Sequence, residues 1–180
     1  MKRMITLLAL GILLHQAASA QTEKGSSLIG GNLEVNTAKD NSSINVTPMV
    51  GYFFANNFAA GANIGLDYSK TGDVKSTGFG IGPFARYYFG TGMLRPLVQG
   101  NLNFTSYKTK TPTTSNSFTG TNYFLGGGAA AFLNRNVALE GLIGYDHTAF
   151  ENQDGTGGLS LKIGFQVYLS RAQVAAATGR

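Results

Sequence analysis

Histidine occurs twice in the 180 residues, as His15 and His147, and cysteine does not occur at all. His147 lies in Asp146-His147-Thr148-Ala149-Phe150-Glu151, so one base and two carboxylates share a short stretch. Such a set does nucleophilic chemistry only with a serine within hydrogen-bond reach. One histidine with no matching serine is a poor start for that, and no catalytic residue and no enzyme activity are expected. Metal chemistry has less to work with: one mature-chain histidine, no thiolate, and the scattered loop carboxylates Asp73, Glu151 and Asp154. Gly126-Gly127-Gly128 is not followed by the Lys-Ser/Thr of a phosphate loop. No cofactor and no metal are expected. What remains is a set of six charges inside regular stretches, Glu34, Asp67, Arg86, Glu140, Asp146 and Lys162.

The elements that hold these charges follow a leader. Met1-Lys2-Arg3, an apolar run over 5–14 and Ala18-Ser19-Ala20 have the three parts of a secretory signal peptide, expected over 1–20 with cleavage near Ala20. The run is too short for a spanning helix. Without Lys2 and Arg3 the chain carries twelve basic and nine acidic residues, a net of +3. That balance is too small and too evenly spread for nucleic acid. Hydrophobic residues make up 43% and charged residues 13%, against about 25% charged in a soluble domain.

From residue 28 onward the chain alternates. In 158–169 every second residue is large and apolar: Leu159, Leu161, Ile163, Phe165, Val167 and Leu169. Side chains of a strand alternate between faces, so this strand has one apolar and one polar face. The same reading gives strands over 28–36, 44–53, 58–68, 78–89, 96–107, 121–133 and 137–147. Alternation is unreadable over 126–131, where glycine and alanine dominate. Polar loops are expected over 39–43, 69–76, 108–119 and 148–157, with tight turns at the other end, for instance at Asn56-Asn57. Pro48 and Pro83 fall inside strands and suggest bulges. A hairpin unit recurs, with 53–60 matching 132–139. The fold class is all-β: an eight-stranded antiparallel up-and-down transmembrane β-barrel over 21–169, with a tail over 170–180. The tail is either disordered or a short helix.

A soluble ligand-binding barrel has the same strand count and is the second alternative. There the apolar face would point inward, and the other face would be dense in Lys, Glu and Thr. Here the other face is Gly61, Asn63, Gly65, Gly80, Gly82, Gln99, Asn101, Asn103 and Gly144, which suits a confined lumen. Glu34, Asp67, Arg86, Glu140, Asp146 and Lys162 all fall on it, where they are expected to form a structural charge network. A Lys or Arg on the lipid side at mid-bilayer would cost about 2–4 kcal/mol. Aromatic residues gather near strand ends: Tyr52, Phe53, Phe54, Phe58, Tyr87, Tyr88, Phe89 and Phe132 at one end, Tyr68, Tyr107, Tyr123 and Tyr145 at the other. They read as two interfacial girdles.

The last eight residues of that final strand, Lys162-x-Gly164-x-x-Val167-x-Leu169, resemble the targeting signal of outer-membrane barrels, with Leu169 in place of the usual aromatic. With the leader and eight strands, the chain resembles the small outer-membrane β-barrels of the OmpA/OmpX and OmpW types, labelled porin-family. The resemblance implies an integral protein of the Gram-negative outer membrane, contacting lipopolysaccharide, and inserted by the barrel-assembly machinery through Lys162 to Leu169. It implies no nucleic acid and leaves oligomeric state open, with a monomer expected. Deacylase-type relatives place a serine two residues after the histidine, where this chain has Ala149. Eight strands leave an interior that side chains fill, and Phe84, Tyr88, Leu97 and Tyr168 add bulk. A structural or interaction role without a large pore is therefore expected, with Lys108 and Lys110 of the longest loop as contact candidates. The alternative is a narrow channel or transporter for small, even hydrophobic, solutes.

Overall fold

The structure is a computed structural model, and it describes residues 22–38, 41–151 and 153–178. The leader, 1–20, lies outside the described residues. Eight strands follow in order: β1 (Ser27–Ala38), β2 (Asn41–Ala55), β3 (Phe58–Thr71), β4 (Val74–Tyr88), β5 (Leu94–Lys110), β6 (Ser115–Phe132), β7 (Val137–Phe150) and β8 (Gln153–Leu169). A helix, α1 (Arg171–Thr178), ends the described chain. Each strand pairs antiparallel with the next, and β8 pairs with β1 to close the barrel. The closing seam runs from Ser27↔Leu169 to Leu33↔Ile163, and above it β1 and β8 pair only with their other neighbours.

The faces follow the alternation of the sequence. Ile29, Leu33 and Val35 of β1 are exposed, as are Leu159, Leu161, Ile163 and Phe165 of β8. Leu28, Asn32, Ser160, Lys162, Gln166 and Tyr168, one step out of phase, are buried inside. Similar apolar positions on every strand form a belt around the barrel. A soluble barrel would hide this belt, so the apolar-inward alternative is excluded by the fold. Around 126–131, where the sequence is silent, Phe124, Ala130 and Phe132 are buried, while Leu125 and Leu133 are exposed.

The expected polar loops are mostly strand. β5 and β6 pair all the way to Lys110↔Ser115, leaving 111–114 as the connection, and β3 and β4 pair to Thr71↔Val74. Beyond the belt both faces of a hairpin meet water. Hydrophobic alternation then vanishes, but Thr- and Ser-rich segments still complete their backbone ladders. The prolines are also not bulges. β2 and β3 keep one register from Val46↔Leu66 to Met49↔Asn63, and β4 and β5 keep one from Ile81↔Phe104 to Phe84↔Asn101. Each proline lacks a donor, so the ladder lapses there on one side without a slip. The register shifts lie instead at Phe53/Ala55 and Thr148/Phe150.

Both described chain ends meet at one end of the barrel, here the terminal end; the other is the hairpin end. At the terminal end Asn57 turns β2 into β3 with a φ of 65°, a conformation asparagine tolerates better than most residues. Its backbone N–H donates to the Thr22 carbonyl (2.7 Å), and the Gly25 N–H donates to the Phe53 carbonyl (2.9 Å). The chain before β1 is thus tied under the barrel. The tail is the short-helix option. Ser170 and Gln173 form its start reciprocally: Ser170 N–H donates to Gln173 Oε1 (2.9 Å) and Gln173 N–H to Ser170 Oγ (3.4 Å), a capping box.

Candidate functional site

The six charges all reach the lumen side, but as two groups at different heights. Nearer the terminal end, Arg86 of β4 and Glu140 of β7 face each other across the barrel. Arg86 Nη1 lies 2.9 Å from Glu140 Oε2, and both side chains are fully shielded from solvent. Glu140 Oε1 also accepts from Tyr168 Oη (2.7 Å) and Tyr88 Oη (3.2 Å), whose hydroxyls are 2.8 Å apart. Arg86 donates further to Gln99 Oε1 and, through Nη2, to Met49 Sδ at 3.2 Å. A charge deprived of water must find such partners or cost several kcal/mol.

Aromatic rings pack below this pair. Phe53, Tyr88 and Tyr168 are fully buried and Phe132 is nearly so. The Phe132 and Tyr168 centroids are 4.9 Å apart, and those of Phe53 and Tyr88 6.0 Å. Phe53, Tyr88 and Phe132 therefore belong to a plug and not to the interfacial girdle that their closeness to strand ends suggests. Arg95, one residue before the strand expected over 96–107, is buried in β5. Its guanidinium lies 4.6 Å from the Phe132 ring centroid, and it donates to Thr22 Oγ1 (2.6 Å) and the Gly92 carbonyl (2.9 Å). Position parity was the available signal, since Arg95 is in phase with Leu97 and Gln99.

Towards the hairpin end the lumen widens into a polar vestibule of about 450 Å³. Asn101, Thr47, Gly80 and Lys162 lie deep in it; Ser43, Ser69 and Thr156 lie near the rim. Glu34, Asp67, Asp146 and Lys162 belong here. Lys162 Nζ donates to Asp146 Oδ2 at 2.7 Å, and lies 4.1 Å from the Phe124 ring centroid. Asp67 accepts from Asn45 Nδ2, and Glu34 Oε2 accepts from Ser160 Oγ at 3.0 Å. Three carboxylates against one ammonium make the vestibule formally negative. Phe124 can lie against the wall because Gly126 and Gly144 are bare beneath it: a Cβ on either would sit 2.5 or 2.7 Å from its ring. Tyr107 also lines the vestibule and stacks edge-on with Phe150 (5.7 Å), so it too leaves the girdle.

His147 stands on the outward face. Its ring stacks on Tyr145 and Tyr123, with centroids 6.2 and 5.1 Å away, above the bare backbone of Gly155 and Gly157. That face is separated from the lumen carboxylates by the wall itself, so Asp146 and His147 point apart and no triad forms. Lys108 and Lys110 are exposed on the outward face near the end of β5, on paired strand and not on a loop. Among the described residues no three His, Asp or Glu side chains converge on a metal-sized site.

The sequence pattern of the family described as "Outer membrane protein beta-barrel domain" matches residues 6–170. No curated protein matches the sequence significantly. Among solved structures, the N-terminal β-barrel domain of Pseudomonas aeruginosa OprF is similar at 18% identity, with 81% of this chain and 98% of that one covered and a TM-score of 0.57. Neisserial surface protein A, NspA, is similar at 15% identity, covering 82% and 97%, with a TM-score of 0.56. These likenesses concern the fold. The family match spans the whole barrel, and the chain belongs to the outer membrane protein β-barrel family.

Proposed function

We propose that this protein is an integral outer-membrane barrel that works as a sealed, non-catalytic anchor and presents stiff hairpins at its far end. The supporting observation is the plug: Arg86 and Glu140, with Tyr88, Tyr168 and Phe53, leave no solvent-reachable side chain across that level. Family membership and the exposed apolar belt support insertion in a bilayer, with β-strands crossing as their backbone groups pair around the closed wall. The hairpin end would face outward and the terminal end the periplasm, as even-stranded barrels of this kind do. Insertion through the assembly machinery would use β8, the closing strand. A monomer suffices, because β1 and β8 pair with each other from Ser27↔Leu169 to Leu33↔Ile163 and close the barrel.

The alternative role, a narrow channel, has one favourable observation, the negative vestibule of about 450 Å³. It ends at the plug, so conduction would require the Arg86–Glu140 group to move. Planar-bilayer recording of the refolded chain decides between them. Silence at moderate voltage is expected. Discrete openings, lost when the vestibule is neutralised by Asp67→Asn with Asp146→Asn, would replace the sealed anchor by a cation-preferring channel.

A further inference from the structure

Four lysines occupy one sector of the outward face at the hairpin end. The registers Lys70↔Lys75 and Lys75↔Lys110 place three of them side by side on β3, β4 and β5. Lys108, paired with Thr77, stands one outward step below. Neighbouring strands are about 4.8 Å apart, so three ammonium groups start from backbone positions spanning roughly 10 Å. Like charges directly opposite one another destabilise a sheet. Yet among the described residues none of the four forms an ion pair with a carboxylate. All four are exposed, and no described lysine or arginine faces outward on β6, β7 or β8 at this end.

What lies beneath the row identifies its occupant. Descending β3, β4 and β5 on the same face, Tyr68 comes next, then Leu66 and Phe79, then Ile64, Ile81 and Phe104, all exposed. Leu66 pairs with Phe79, and Ile81 with Phe104. Four steps of strand separate the lysine row from Leu66 and Phe79, about 14 Å at some 3.4 Å per residue. A cationic rim directly above an apolar wall is the complement of an amphiphile with phosphate at its head and acyl chains below. A soluble phosphate would use the rim and leave the wall unused.

We infer that Lys70, Lys75, Lys108 and Lys110, with the apolar wall below them, form a docking surface for a phosphorylated lipid headgroup of the surrounding leaflet. This rests on the membrane placement proposed above. Lys70 and Lys75 carry it as much as the two lysines the sequence picks out, because only the register brings the three strands together.

The full chain, refolded into phosphatidylcholine vesicles doped with diphosphorylated glucosamine lipid, tests this by the lipid retained per barrel after detergent extraction. The quadruple variant K70S/K75S/K108S/K110S is expected to lose retention at least tenfold. Single replacements should lose roughly two- to fourfold each, and the control K24S/R135S, at the terminal end, should retain it in full. Unboiled gel mobility confirms that each variant folds. Retention unchanged in the folded quadruple variant overturns the inference, as does equal retention of the dephosphorylated lipid. Displacement by heparin but not by the phosphorylated lipid also overturns it, and would assign the row to a soluble polyanion. A chain that fails to insert at all sinks the membrane placement instead, a result the gel separates from the others.

Discussion

Arg86–Glu140 and Lys162–Asp146 are both ion pairs on inward positions of neighbouring strands or of strands facing across the same lumen, yet their surroundings differ. The first pair is fully shielded and tied to two tyrosines and a glutamine; the second keeps 9% and 26% of its side-chain surface exposed. The difference comes from neighbours. Bulky Phe53, Phe132, Leu97 and Tyr168 fill the lumen around the lower pair. Gly65, Gly80 and Gly158 with short polar residues leave room around the upper one. Burial makes an ion pair indispensable once present, while a wet pair can be lost with little effect.

Mutations should therefore separate the two halves. The largest effect is expected for Glu140→Ala, which leaves Arg86 charged, buried and unpaired. Such a break costs about 3–5 kcal/mol, read as a shift of the urea midpoint for the unboiled gel form. Replacing both partners, Arg86→Met with Glu140→Leu, should recover most of that loss, since a well-packed apolar pair is often neutral or better. A double variant as unstable as the single one would mean the plug is held by something other than charge.

Next in size is Gly126→Ala. Its added methyl would sit 2.5 Å from the Phe124 ring and 2.6 Å from the Ile143 carbonyl, and overpacking of this kind costs about 1–3 kcal/mol. The same urea series reads it, and co-replacement Phe124→Leu should relieve only the ring contact, leaving the part due to the Ile143 carbonyl. Tyr168→Phe comes at a similar or lower level, because a hydrogen bond to a charged group contributes about 1.5–3 kcal/mol and Glu140 keeps Tyr88 and Arg86. The smallest effect is expected for Lys162→Ala, about 1 kcal/mol or less, because Asp146 is partly exposed and keeps Asn122 as a donor. A Lys162→Ala loss matching that of Glu140→Ala would erase the distinction between the halves.

The strand count, the faces and the lumen location of all six charges were legible in the sequence, because a period of two ties each residue to one side of the wall. Pairing was not. Arg86 meets Glu140 and Lys162 meets Asp146 through barrel closure and strand stagger, which alternation does not encode. Phe53 and Tyr107 were misread where closeness to strand ends was weighed above their parity, which already put them inside; Phe132 follows a glycine- and alanine-rich run that carries no readable parity. The hairpin extensions were invisible for a different reason: strands that leave the apolar belt lose the hydrophobic signal while keeping their hydrogen bonds. The lysine row lay hidden the same way, since Lys70, Lys75 and Lys110 become neighbours only through those extended ladders.

The most direct test of a lumen that is wet above and sealed below uses the absence of cysteine from the chain. Single replacements Asn45→Cys, in the vestibule, and Leu97→Cys, in the plug, are refolded into vesicles and exposed to a charged, membrane-impermeant thiol reagent. Rapid labelling of position 45 is expected, with position 97 at least a hundredfold slower until the barrel is unfolded. Comparable labelling at both positions would mean that water passes the Arg86–Glu140 level, and the protein would be an open channel.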